Sequence, residues 1–206
     1  MTQTQLIVDT NVREFFQGLV TDAVANQHVE TTDETVFYVV NLLVAFSDSR
    51  ALFEQTPDGL QIKPLAFLYG EALEARNANE RNYALKQLGD LALFISGIFT
   101  DSLNRKLVDV DYYIAMGGNA YGHLSDLTRD TGRWQVFNEI FDELAGKFPA
   151  FVDVLGEVSE NTHLRNDSDI MRLYEVWMRT GSKRSERKLR RLGIEPLSGS
   201  VSQRHH

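Results

Sequence analysis

The chain has 206 residues, a hydrophobic fraction of 43%, no cysteine and a formal net charge of −8. That length suits one globular domain with an appendage, and it buries a sizeable core. Without cysteine there is no disulfide, thiolate zinc site, iron–sulfur cluster or cysteine nucleophile, and a reducing compartment fits that composition.

The opening residues, MTQTQLIVDTNVREFF, have neither the basic region nor the apolar stretch of a signal peptide. Asp9 or Thr10 is the expected cap of a first helix over about 11–26, where Val12, Phe15, Phe16, Leu19 and Val24 recur at helical spacing. Thr31 and Glu34 have capping-box spacing before a second helix, 35–47. Apolar residues cover most of its circumference, which places it at the centre of a bundle. The apolar run 36–46, interrupted by Asn41, is too short for the roughly 20 residues that span a bilayer. A soluble, cytoplasmic protein without a transmembrane segment is therefore expected.

The stretch QTPDGLQIKP breaks the pattern with a turn at Thr56-Pro57-Asp58-Gly59, a brief extended piece at 60–62, and Pro64 opening a helix. Leu65, Leu68, Tyr69, Ala72 and Leu73 form that helix's expected buried stripe. Asn79 is the expected cap of a long helix, 80–103, with Leu88, Leu91, Ala92, Ile95, Ile98 and Phe99 on one face. Asp90, Phe94, Gly97 and Asp101 lie opposite, on what reads as an exposed face with Gly97 at a close helix crossing. Further helices are expected over 109–128, 131–146, 149–159 and 169–180, the last stopped by Gly181.

The segment DYYIAMGGNAYGHL looks like a loop yet continues a helical pattern. Val110, Tyr113, Gly117, Ala120, Tyr121, Leu124 and Leu127 fall on one stripe. Each helical glycine costs about 1 kcal/mol relative to alanine, so the small residues imply a close crossing or a kink. If Gly97 and Gly117 face each other, Asp90 or Asp101 meets Tyr113 or Tyr121 in a buried polar network. Tyr112, Met116, Asn119 and His123 line the edge of the stripe. These residues carry an alternative functional reading, a helical enzyme or small-ligand-binding protein with its pocket between the 88–101 and 109–127 helices. Asp90 would be its acid or base, His123 its proton carrier, and Tyr113 and Tyr121 its orienting hydroxyls.

Other constellations are incomplete. Glu160 and His163 form the one Glu-x-x-His, in polar connecting sequence and without the partners a di-metal bundle needs. No Gly-rich phosphate loop and no nucleophile elbow occurs. No metal and no cofactor is expected.

Charge is uneven. From Lys183 onward seven Lys/Arg face two Asp/Glu, a net +5, which leaves −13 on the preceding residues. A short helix over 182–192 spreads Lys183, Arg184, Arg187, Lys188, Arg190 and Arg191 over one face, with Ser185, Leu189 and Leu192 opposite. Such a helix either packs its leucines on the body and pairs with its acids, or docks onto a protein or polyanion. Its apolar face lacks the Trp and Phe of a membrane-surface helix, and no aromatic interleaves the cations for base stacking.

The expected architecture is all-α: a compact bundle of eight or nine helices. An acidic domain spans 1–181 and a basic helix with its tail spans 182–206. A homodimer is plausible, since a second chain could cover the apolar 35–47 helix. The leading functional expectation is a non-enzymatic binding or regulatory protein that uses the basic segment to dock.

Overall fold

The structure, a computed structural model, describes residues 3–47, 53–56, 59–99, 109–129, 132–162, 177 and 182–191. Helix α1 spans Gln3–Asn26 and α2 spans Asp33–Ser47. Strands β1, Phe53–Thr56, and β2, Gly59–Ile62, form an antiparallel hairpin in which Phe53 pairs with Ile62 and Thr56 with Gly59. Then follow α3, Leu65–Glu74; α4, Ala78–Ile98; α5, Val110–Thr128; a 3-10 helix, Gly132–Phe137; α6, Asn138–Gly146; α7, Phe148–Asn161; and α8, Lys183–Arg191. The fold is thus a helical bundle, and none of the described helices is long and apolar enough to cross a membrane.

The fold is all-helical apart from this short hairpin, which includes the expected extended piece at 60–62. Pro57 and Gly59 leave too few uninterrupted residues for a helix, so the backbone groups of 53–56 and 59–62 pair across two strands instead. Helix α1 begins well before residue 11 and runs through Asp9 and Thr10. Capping residues permit a helix start without enforcing one. Its other end is closed by His28 in a left-handed conformation (φ 53°), with Val29 N–H donating to Val24 O at 3.1 Å.

The start of α2 also differs from the expected box. Thr32, not Thr31, accepts from the Thr35 N–H at 3.2 Å. The carboxylate comes from Glu143 on α6 rather than from Glu34. Glu143 Oε2 accepts from Thr32 N–H at 3.3 Å, Thr32 Oγ1 at 3.0 Å and Thr35 Oγ1 at 2.5 Å, and Lys147 Nζ reaches Oε1 at 2.9 Å. Burial pushes the Glu143 carboxyl upward. The bonds from Thr35, Lys147 and Thr32 outweigh it and pull the pKa from 4.5 to about 2.

Helix α4 is capped by Asn77, whose side chain accepts from Glu80 N–H at 2.9 Å, while Glu80 accepts from Arg76 N–H at 3.0 Å. Glu80 lies three residues after Asn77, and its carboxylate also accepts from the Asn77 side-chain amide at 2.8 Å. Asn79 accepts instead from Trp134 Nε1 at 3.2 Å.

The core sits around α4, which packs against α3, α5, α7 and part of α2. Every residue from Leu88 to Phe99 is buried, so Asp90, Phe94 and Gly97 do not form an exposed face. Helix α2 is less enclosed than its composition implies: Val39 and Val40 are buried, but Phe37 is 53% exposed. On α3, Leu65, Leu68 and Ala72 are buried as expected, whereas Tyr69 and Leu73 reach the surface. The expected 131–146 helix divides at Asn138, whose side-chain amide donates to Ser125 O on α5 at 2.6 Å. Asp101 and the expected 169–180 helix lie outside the described residues, apart from Trp177, which is buried.

Candidate functional site

The twin-glycine segment is helical throughout and lies against α4. A Cβ on Gly117 would meet the Phe148 ring of α7 and come within 2.8 Å of Ala92 Cβ. A Cβ on Gly89 of α4 would stand 2.6 Å from the Tyr121 ring. The missing side chains therefore bring α4 and α5 together at two levels. Gly97 does not face Gly117; it abuts Leu155 of α7.

This approach sets the polar centre. Tyr121 hydroxyl donates to Asp90 Oδ1 at 2.7 Å, and Tyr38 hydroxyl, from α2, donates to the same oxygen at 2.6 Å. Lys86, one turn earlier on α4, donates to Oδ2 at 2.5 Å, and its ammonium stands 5.2 Å from the Tyr38 ring centroid. Tyr121 is fully buried, and Tyr38 and Asp90 nearly so. Burial first, and the Asp90 charge second, push both phenols well above their ordinary pKa. Both remain protonated donors at neutral pH. The carboxylate, with three donors, cross-links α2, α4 and α5.

The residues of the enzymatic alternative separate here. Asp90 and Tyr121 meet in the core. Tyr113 is half-buried and packs edge-to-face on Tyr112, with centroids 5.6 Å apart; burial raises its pKa, and its neighbour adds to this. His123 is exposed. The space between α4 and α5 at the glycines is filled by side chains. An open cleft of about 260 Å³ lies instead where the first turns of α4, the end of α5 and α3 meet. Ala72, Leu73, Leu85, Leu127 and Tyr69 give it an apolar lining, and Arg81, His123 and Asp126 also line it.

The basic segment forms α8. Leu189 is fully buried within the apolar core, while Lys183, Arg184, Arg187 and Arg190 are exposed. Arg190 pairs with Glu186 at 3.1 Å, and Arg187 Nε donates to Lys183 O at 3.3 Å. The side chains of Lys188 and Arg191 and all of Leu192 lie outside the described residues.

Comparison with protein-family models, curated proteins and solved structures found no match. The chemistry available is therefore that of the side chains themselves. Among the described residues no three His, Asp or Glu stand together as metal ligands. Sequence reasoning missed Lys86, Tyr38 and Arg81. The four-residue step from Lys86 to Asp90 was a usable signal for the first. Nothing local announces Tyr38, which lies 52 positions from its acceptor.

Proposed function

We propose that this chain is a non-enzymatic binding protein that docks onto an anionic macromolecule through the exposed face of α8. The observation that carries the reading is the two-sidedness of α8: Leu189 is inserted in the core while Lys183, Arg184, Arg187 and Arg190 are exposed. The helix holds six cations against one acid. Like charges three and four residues apart disfavour a helix by a few tenths of a kcal/mol per pair. Among the described residues one ion pair within α8, Arg190 to Glu186, offsets that repulsion. An anionic surface relieves the rest. Association then gains from counterion release, and no side-chain chemistry is required. Lys188 and Arg191 belong to the same basic run.

The test is a fluorescence-anisotropy titration of the full chain onto a short mixed-sequence DNA duplex and, separately, onto a polyglutamate peptide, over a range of salt concentrations. Four phosphate contacts give a slope of log K against log salt of about −3.6. The double variant R184E/R187E weakens binding and flattens the slope. Preference for polyglutamate assigns an acidic protein as the partner. Binding to neither probe, or binding that the double variant leaves unchanged, overturns the reading.

A further inference from the structure

A second surface, remote in sequence from α8, has the chemistry of a small-molecule site. We infer that the cleft between α3, α4 and α5 takes a small amphipathic monocarboxylate. Its apolar body would lie on Leu73, Leu85 and Leu127, and its carboxylate between Arg81 and His123.

The cleft combines two things that rarely coincide by packing alone. Its lining is mostly apolar, and α3 contributes Leu73 and Tyr69 to it while leaving them 70% and 41% exposed. Apolar side chains gathered in a concavity gain from any ligand that removes them from water. The same lining supplies two donors, Arg81 and His123. Among the described residues neither the Arg81 guanidinium nor the His123 imidazole has a hydrogen-bond or ion-pair partner. A guanidinium matches a carboxylate through two parallel N–H bonds, and an imidazole N–H adds a third.

The remaining charge limits the ligand. Asp126 stands at the same cleft with its carboxylate 3.4 Å from Arg129, an exposed and weak pair. A ligand with a second anionic group would face that carboxylate, so a single negative charge fits and a phosphate monoester or dicarboxylate does not. A medium-chain aliphatic acid has that division between apolar body and charged head.

The experiment is isothermal titration of the full chain with sodium octanoate, with 1-octanol as the uncharged control. Octanoate binds saturably at one site, and more tightly than octanol. Arg81→Gln weakens octanoate by about tenfold or more and leaves octanol unchanged. Leu73→Gln, a surface change that leaves the melting temperature intact, weakens both. The R184E/R187E variant binds octanoate as the parent does, which separates this site from general attraction of anions to α8. The inference fails if octanoate does not saturate at millimolar concentration, if octanol binds as well, or if Arg81→Gln is without effect. It also fails if sedimentation shows a dimer that Leu73→Gln dissociates, because a second copy then covers the cleft.

Discussion

The two ends of α4 have similar backbones and opposite surroundings. From Leu88 to Phe99 the helix is enclosed on all sides, yet that stretch contains Asp90, Ser96, Gly89 and Gly97. In its first turns Arg81 and Tyr83 are exposed, and Leu85 lines an open cleft. The enclosed stretch is the more apolar of the two, and it is touched by more neighbours: a helix packed against several others thins its surface with glycine where they come close, and its buried polar groups gain from a partner. Asp90 has three donors, and Ser96 Oγ donates to Ala92 O at 2.7 Å. At the outer end α3, the end of α5 and Trp134 of the 3-10 helix approach; Asn82 is buried there, Arg81 and Tyr83 stay exposed, and a gap remains beside Leu85.

The hardest blow to the enclosed end is Asp90→Leu. It removes the acceptor of two buried phenols and the partner of Lys86, and should cost about 3–5 kcal/mol in urea unfolding. A loss under about 1 kcal/mol would mean that the enclosed end does not depend on its polar centre. Spectrophotometric titration probes the same centre. With their pKa values raised, Tyr38 and Tyr121 stabilise the fold at every pH below the ordinary phenol range, and that contribution declines as the pH rises through their folded values. Both phenols should therefore stay silent until alkaline unfolding.

Gly117→Ala comes next, at about 1–3 kcal/mol of destabilisation. The added methyl meets Ala92 and the Phe148 ring, which outweighs the roughly 1 kcal/mol gained in helix propensity. Gly18, with nothing within 4 Å, is the contrasting site, where alanine should stabilise by up to about 1 kcal/mol. Equal effects at both glycines would erase the distinction between enclosed and open surfaces.

Glu143→Gln should cost about 1–2 kcal/mol at neutral pH, as the loss of a charged helix cap does. The Glu143 pKa is lowered in the fold to about 2. Its contribution is therefore complete above the ordinary carboxylate pKa of 4.5 and is lost as pH falls toward 2. The variant should flatten acid denaturation within that window. The smallest effect belongs to Leu73→Gln, within about 0.5 kcal/mol, because that side chain already lies in solvent.

The helical pattern was legible because the apolar spacing of most elements is regular. The Asp90–Tyr121 contact was one of four pairings expected from Gly97 facing Gly117; the contact forms, but through Gly89 against Tyr121, while Gly97 meets Leu155. What the small residues could not convey was who fills the space. Gly117 announces that something comes close, and only the tertiary arrangement makes it Phe148 and Ala92 rather than Gly97. Long-range partners were hidden in the same way. Tyr38 looks like one more aromatic in an apolar run, and Glu143 like an exposed acid of an amphipathic helix. The cleft was hidden because Arg81 is unremarkable in a solvent-facing first turn, and the placement of Leu73 depends on how α3 meets α4.

The carboxylate that closes the start of α2 lies 111 positions along the chain from Thr32. Local sequence cannot supply that cap, so α2 gains its full definition only once α6 has arrived, after a large loop has closed. Kinetically, the contacts of Thr32 and Thr35 should form on the native side of the rate-limiting barrier. Substitutions there should accelerate unfolding while leaving the refolding rate nearly untouched.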